Sequence, residues 1–147
     1  MIIHLPHSSR FIPSEYLNQF VLGKERLKHD MNVVTDSFTD ELFEFDSASN
    51  GSIRVVFPAS RLLVDPERFA DDSLEPMNEK GMGVLYTKTY RGIILRPELN
   101  EEERRDLLAN YFYPHQRKVS KAVQAEIEES GASLLIDCHS FPSQSYI

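Results

Sequence analysis

Two short apolar runs in this chain lead directly into histidine. Ile2 to Leu5 runs into Pro6-His7-Ser8-Ser9-Arg10, and Leu134-Leu135-Ile136 runs into Asp137-Cys138-His139-Ser140. If the two runs are neighbouring parallel strands, both imidazoles reach one rim. Neutral imidazole is the commonest protein metal ligand, and a carboxylate third makes a two-histidine, one-acid site. With zinc, such a site keeps one position for water and lowers the pKa of that water to about 7. The carboxylate candidates are Asp36, Asp30 and Asp137. None falls in the H-E-x-x-H spacing of helix-borne zinc sites, so spacing leaves the third ligand open. A plainer reading also stands, in which Asp137 and Ser140 shape a turn and each histidine is simply hydrogen-bonded.

Arginine is the next signal. Arg54, Arg61, Arg68 and Arg91 lie in segments that otherwise read as buried or as loop ends. Arginine suits bidentate carboxylate recognition, so a metal with one or two arginines would suit a small anionic amide or ester. Alternatively, Arg61 pairs with Asp65, and Arg68 with Glu67 or Asp71, as surface ion pairs of little energetic weight. A Ser–His site from His139 with Ser140 or Ser8 lacks the G-x-S-x-G elbow that presents such a serine. Cys138 ends a core strand, where cysteines are usually inert. His115 lies on an apolar helical stripe and reads as a packed histidine, unless a proline kink opens a route to substrate.

These residues need elements to hold them. Ile2–Leu5, Ile53–Phe57 and Leu134–Ile136 read as strands, the last buried on both faces. Val84–Thr87 and Ile93–Leu95 read as short extended pieces. Pro13-Ser14 opens a short helix over Glu15–Leu22. From Lys24 to Phe45 the pattern is helical, with Val34, Phe38, Leu42 and Phe45 on one stripe. Thr35-Asp36 would cap a second piece of it. Ser47 to Ser52 contains the turn signal Asn50-Gly51. Residues 70–82 form a long acidic loop, of the kind that serves as a lid or binding loop. Asn100, followed by three glutamates, starts a helix whose stripe carries Leu107, Tyr111, His115, Val119, Val123 and Ile127. Pro114 should kink or split it. Strand and helix alternate, which predicts an α/β layer fold with a mostly parallel sheet.

Composition bounds the function. The 147 residues suit one domain, residues 1–147, with a real core. A net charge of −7 argues against a nucleic-acid backbone as partner. Apolar runs are too short to span a membrane, and Met1-Ile2-Ile3-His4-Leu5-Pro6 lacks the pattern of a signal peptide. One cysteine excludes an internal disulfide and fits a reducing compartment, so a cytoplasmic location is expected.

Taken together, the motifs resemble the N-formylglutamate amidohydrolase family. They run in order: Leu5-Pro6-His7-Ser8-Ser9 with Ile12-Pro13, Thr35-Asp36, Ser60-Arg61 through Asp65 with Glu67-Arg68-Phe69, Gly81 through Thr87, Tyr113-Pro114-His115, and Asp137 through Pro142. The resemblance implies a three-layer αβα fold with a mostly parallel or mixed sheet. It is the fold of zinc carboxypeptidases and of succinylglutamate and aspartoacylase-type deacylases. It implies Zn²⁺ held by His7, His139 and Asp36, with Asp30 as the fallback. Arg61, Arg68 and His115 would bind an acidic N-acyl amino acid. The implied reaction hydrolyses N-formyl-L-glutamate to formate and L-glutamate, the last step of one route of histidine degradation. A non-catalytic or truncated hydrolase-fold protein that binds an acidic metabolite or dimerises is the alternative. No acid follows His7 closely, and the related carboxypeptidases have their general base well after the last metal histidine. The chain is therefore expected to be an N-terminal portion without that base, and able to self-associate.

Overall fold

The computed structural model describes residues 1–44, 51–141 and 143. Strand β1 (Ile2–Leu5) is buried at every position, so it needs partners on both edges and cover on both faces. It has β2 (Ile53–Val56) on one edge and β3 (Leu135–Asp137) on the other, in a parallel sheet ordered β2-β1-β3. The register sets His4 between Val55 and Asp137. Parallel neighbours require long crossovers. The first contains α1 (Lys24–Val34) and α2 (Thr39–Leu42); the second contains α3 (Glu101–Leu107) and α4 (Tyr113–Ser130).

Side chains alternate across β1, and each face has its own cover. Ile2 packs with Val55 and with Ala122 of α4. Ile3 and Leu5 face the opposite way, against Cys138, Ile136 and Phe43. The largest core lies beside the sheet, among Phe57, Leu62, Leu63, Tyr86 and Leu107. Its segments are mostly irregular and have no ladder to satisfy their carbonyls. Arg96, 1% exposed, supplies donors instead: Nε to the Tyr86 carbonyl and Nη2 to that of Leu63, both at 2.8 Å. Burial of this cation pulls its pKa down to about 10.

Several elements differ from expectation for local reasons. β3 is not buried on both faces. It is an edge strand, with Leu134 58% and Leu135 37% exposed. The first helix is a 3-10 turn, Ser14–Gln19. The strands expected at 84–87 and 93–95 reduce to a single antiparallel bridge, Lys88 with Ile94. The acidic loop holds a short 3-10 helix, Pro76–Lys80. Pro114 does split the long helix. A widened π-helical turn, Leu108–Phe112, separates α3 from α4. Proline then sits in the first turn of α4, where its missing N–H costs nothing. Phe45 of the expected stripe and most of the expected 47–52 turn lie outside the described residues. Among the described residues no helix is long and apolar enough to cross a membrane.

Candidate metal centre

Pro6 ends β1 and delivers His7 to the carboxyl end of the sheet; β3 delivers His139 beside it. The two rings lie 5.4 Å apart, centroid to centroid. The turn between α1 and α2 brings up Asp36, whose N–H donates to the His7 carbonyl at 3.0 Å. Asp36 is not the cap of α2. That position belongs to Phe38, in the left-handed region at φ 67°, and the Thr39 hydroxyl donates to the Asp36 carbonyl. The Asp36 carboxylate is thereby free to face the histidines. Its Oδ2 lies 2.7 Å from His139 Nδ1 and 3.7 Å from His7 Nδ1. Asp30 stays on α1, paired with Arg26 Nε at 3.2 Å.

Behind His7 stands Asp65, completely buried. His7 Nε2 meets its Oδ1 at 2.9 Å. Arg61 donates to its Oδ2 from Nη2 at 2.8 Å and from Nε at 3.2 Å, and the Tyr86 hydroxyl donates to the same oxygen at 2.8 Å. Burial alone would raise the Asp65 pKa. The His7 hydrogen bond and the Arg61 charge outweigh it and hold the carboxyl well below the usual range. The Arg61–Asp65 pair expected at the surface is thus a buried one. Arg68 lies on the outer side, its Nε 3.6 Å from Asp65 Oδ2 and its Nη1 3.8 Å from Glu75.

Glu67 reaches both candidate ligands: Oε2 lies 3.3 Å from His7 Nε2, and Oε1 3.3 Å from His139 Nε2. Burial, together with the adjacent Asp137 carboxylate, pushes the Glu67 pKa up to about 7. The histidines shift in the same direction for a different reason. Burial disfavours their charge, but the Asp36 and Asp65 carboxylates facing His7, and the Asp36 and Glu67 carboxylates facing His139, outweigh it and raise both. Asp36 is held low by those same contacts, against burial.

Three groups bring ligand atoms within 4.8 Å of one another: His7, Asp36 and His139; His4, Glu67 and Asp137; His7, Asp65 and Glu67. The chemistry of the donors chooses among them. Both ring nitrogens of His4 are engaged, Nδ1 by Asp137 and Nε2 by His115. Asp65 is saturated by its cationic and hydroxyl donors. His7 Nδ1, by contrast, is buried and has no hydrogen-bond partner. With Nε2–H donated to Asp65, the Nδ1 lone pair faces the Asp36 side. A ligating histidine commonly donates its other N–H to a carboxylate in this way. The first group therefore fits a divalent cation with two nitrogens and one oxygen, as zinc accepts.

The centre opens on a cleft of about 750 Å³ lined by His7, Asp36, His139, Arg61, Glu67 and Tyr86, with apolar walls from Phe38, Leu42 and Met82. His115 does not line it. Only 2% exposed, it lies across the sheet against His4 and Phe57. Ser140 Oγ donates to the Ser37 carbonyl at 2.8 Å, and burial pushes the Cys138 thiol up. Neither is set up as a nucleophile. Sequence reasoning treated Asp65 and Glu67 only as partners for arginine and did not single out His4 or Tyr86. Strand alternation does give one signal, because it turns His4 away from the face of Ile3 and Leu5.

Fold and site together define an α/β protein with a candidate metal centre at the carboxyl ends of parallel strands. The family model of N-formylglutamate amidohydrolase matches residues 1–146, and the chain belongs to that family. Two solved structures share its fold. One is an N-formylglutamate amidohydrolase from Ralstonia eutropha JMP134, with TM-score 0.80 and 20% identity over 96% of this chain and 53% of that one. The other is the gene product Atu2144 of Agrobacterium tumefaciens, with TM-score 0.74 and 21% identity over 99% of this chain and 53% of that one. The chain thus spans about half the length of each. No curated protein matches it.

Proposed function

We propose that the chain carries the centre for metal-dependent hydrolysis of an N-acyl amino acid. The substrate of choice is N-formyl-L-glutamate, split into formate and L-glutamate as in histidine degradation. One observation carries this reading: the unpartnered, buried Nδ1 of His7 beside Asp36 and His139. The chemistry a bound Zn²⁺ supplies is polarisation of the formyl carbonyl and activation of water. The chain's own residues do the rest. His7, His139 and Asp36 hold the ion. Asp65 and Glu67 fix the imidazoles from behind. Two Arg61 nitrogens are spent on Asp65, and the guanidinium keeps further donors for a substrate carboxylate. Arg68, flanking Asp65, adds positive charge at the same end. Glu67 is, with Asp36, one of the two carboxylates on the cleft wall. The buried free thiol Cys138 suits a reducing, cytoplasmic setting. The outer edge of β3, with Leu134 exposed, is where copies would associate.

Formate release from N-formyl-L-glutamate, followed before and after excess chelator, tests the reading. Turnover should vanish on chelation and return with Zn²⁺; undiminished turnover in chelator contradicts it. A second reading, binding of an acidic metabolite without turnover, rests on the Arg61 guanidinium that lines the cleft. Tight product binding by a metal-loaded chain that releases no formate would select it.

A further inference from the structure

On the α4 side of the sheet, a line of three side chains has no part in that chemistry. Asp137 Oδ1 meets His4 Nδ1 at 2.8 Å, and His4 Nε2 meets His115 Nε2 at 2.8 Å. The two rings are stacked at 30° with centroids 5.0 Å apart, and Phe57 closes the far side of His115 edge-on. Two imidazole nitrogens at hydrogen-bond distance need one proton between them. Its position follows from the ends of the line. The Asp137 carboxylate only accepts, so His4 Nδ1 carries a hydrogen. A neutral His4 then has a bare Nε2, and the proton between the rings belongs to His115 Nε2. His115 Nδ1 is left bare, and it is a buried nitrogen without a partner. The other arrangement needs a charged His4. Burial opposes that, lowering the pKa of His4 and bringing that of His115 down to about 4.

We propose that His4 and His115 are positioning residues, a directed relay from His115 Nε2–H to His4 Nε2 and from His4 Nδ1–H to Asp137 Oδ1. The relay holds the other oxygen of Asp137 behind a metal-ligating His139. That oxygen, Oδ2, lies 3.6 Å from His139 Nε2, beside Glu67 Oε1 at 3.3 Å from the same nitrogen. An acceptor behind a ligating imidazole orients the ring and raises its basicity. The purpose of the relay rests on the reading of His139 as a ligand; the relay itself does not.

Imidazole ¹⁵N spectra of the metal-free, full 147-residue chain test the proposal. His4 should appear as the Nδ1–H tautomer and His115 as the Nε2–H tautomer. His115→Leu removes the donor, whereas His115→Gln keeps an N–H near the Nε2 position. Zn²⁺ affinity, read by competition with a chromophoric chelator, should fall about 10-fold in the Leu variant, the lower end of effects from groups behind a ligand. It should be retained in the Gln variant. An Nε2–H tautomer at His4, or equal Zn²⁺ affinity in wild type and His115→Leu, overturns the proposal. If His115→Leu does not fold, the wild-type spectrum and the Gln variant still decide. A chain that shows both tautomers yet binds no Zn²⁺ overturns the metal reading of the rim and leaves the relay standing.

Discussion

Asp65 is the side chain on which the candidate metal rim depends without belonging to it. A buried charge is tolerated only when it is paired and hydrogen-bonded. Asp65 meets that condition with His7, Arg61, Tyr86 and the N–H of Glu67. Through His7 it decides which ring nitrogen would be left for an ion. Replacing Asp65 with Asn keeps the shape and removes the charge that balances Arg61. Breaking a buried pair in this way costs about 3–5 kcal/mol. Mutation of the partner behind a ligating histidine costs about 10–100-fold in metal affinity. The pH dependence has a definite sign. The folded-state pKa of Asp65 lies below its unfolded value of 3.8. Its contribution is therefore full above the unfolded value and disappears as pH falls through the folded one. Denaturant unfolding at a series of acidic pH values should show Asp65→Asn with a flatter loss of stability below pH ~4 than wild type. Parallel curves would mean that Asp65 is not ionised as described.

At the scale of elements, β1 and β3 set the site, because only parallel neighbours bring His7 and His139 to the same end of the sheet. The helices cover that sheet, and their ends can be perturbed separately from the site. Asn100 accepts from the N–H groups of Glu102 and Glu103, and Glu103 reaches back to the Asn100 N–H, a complete capping box. Asn100→Ala should cost about 1 kcal/mol, read as a fall in Tm of about 2–4 °C for a chain of this size. Zn²⁺ affinity should not change, since this cap touches nothing in the rim. Much of this level was legible in the sequence. The apolar runs marked the strands, and Asn100 with its three glutamates marked the helix start. The polar clusters after the first and the last run marked the rim. The rest was hidden for physical reasons. Arg61 and Asp65, four apart, look like a surface pair until the core around Leu62, Leu63 and Tyr86 closes over them. His115 sits on a stripe that faces the sheet, and its contact with His4 depends on α4 crossing β1. Asp36 looked like a helix cap because its turn conformation depends on the bond to the His7 carbonyl.

The whole molecule joins an irregular core, held in part by Arg96, to a small parallel sheet with the candidate metal centre at one end. The cleft there is charged on its histidine side and apolar where Phe38, Leu42 and Met82 line it. Such a cleft suits a substrate with both an anionic and a less polar end. The central claim is that His7, Asp36 and His139 hold one divalent cation through the Nδ1 side of both rings. Diffraction from a crystal of the Zn²⁺-loaded chain, with data above and below the zinc absorption edge, tests it most directly. The account predicts a single anomalous peak within about 2.0–2.2 Å of His7 Nδ1, His139 Nδ1 and an Asp36 oxygen. A peak on the Nε2 side against Glu67, or none between the two rings, would contradict it.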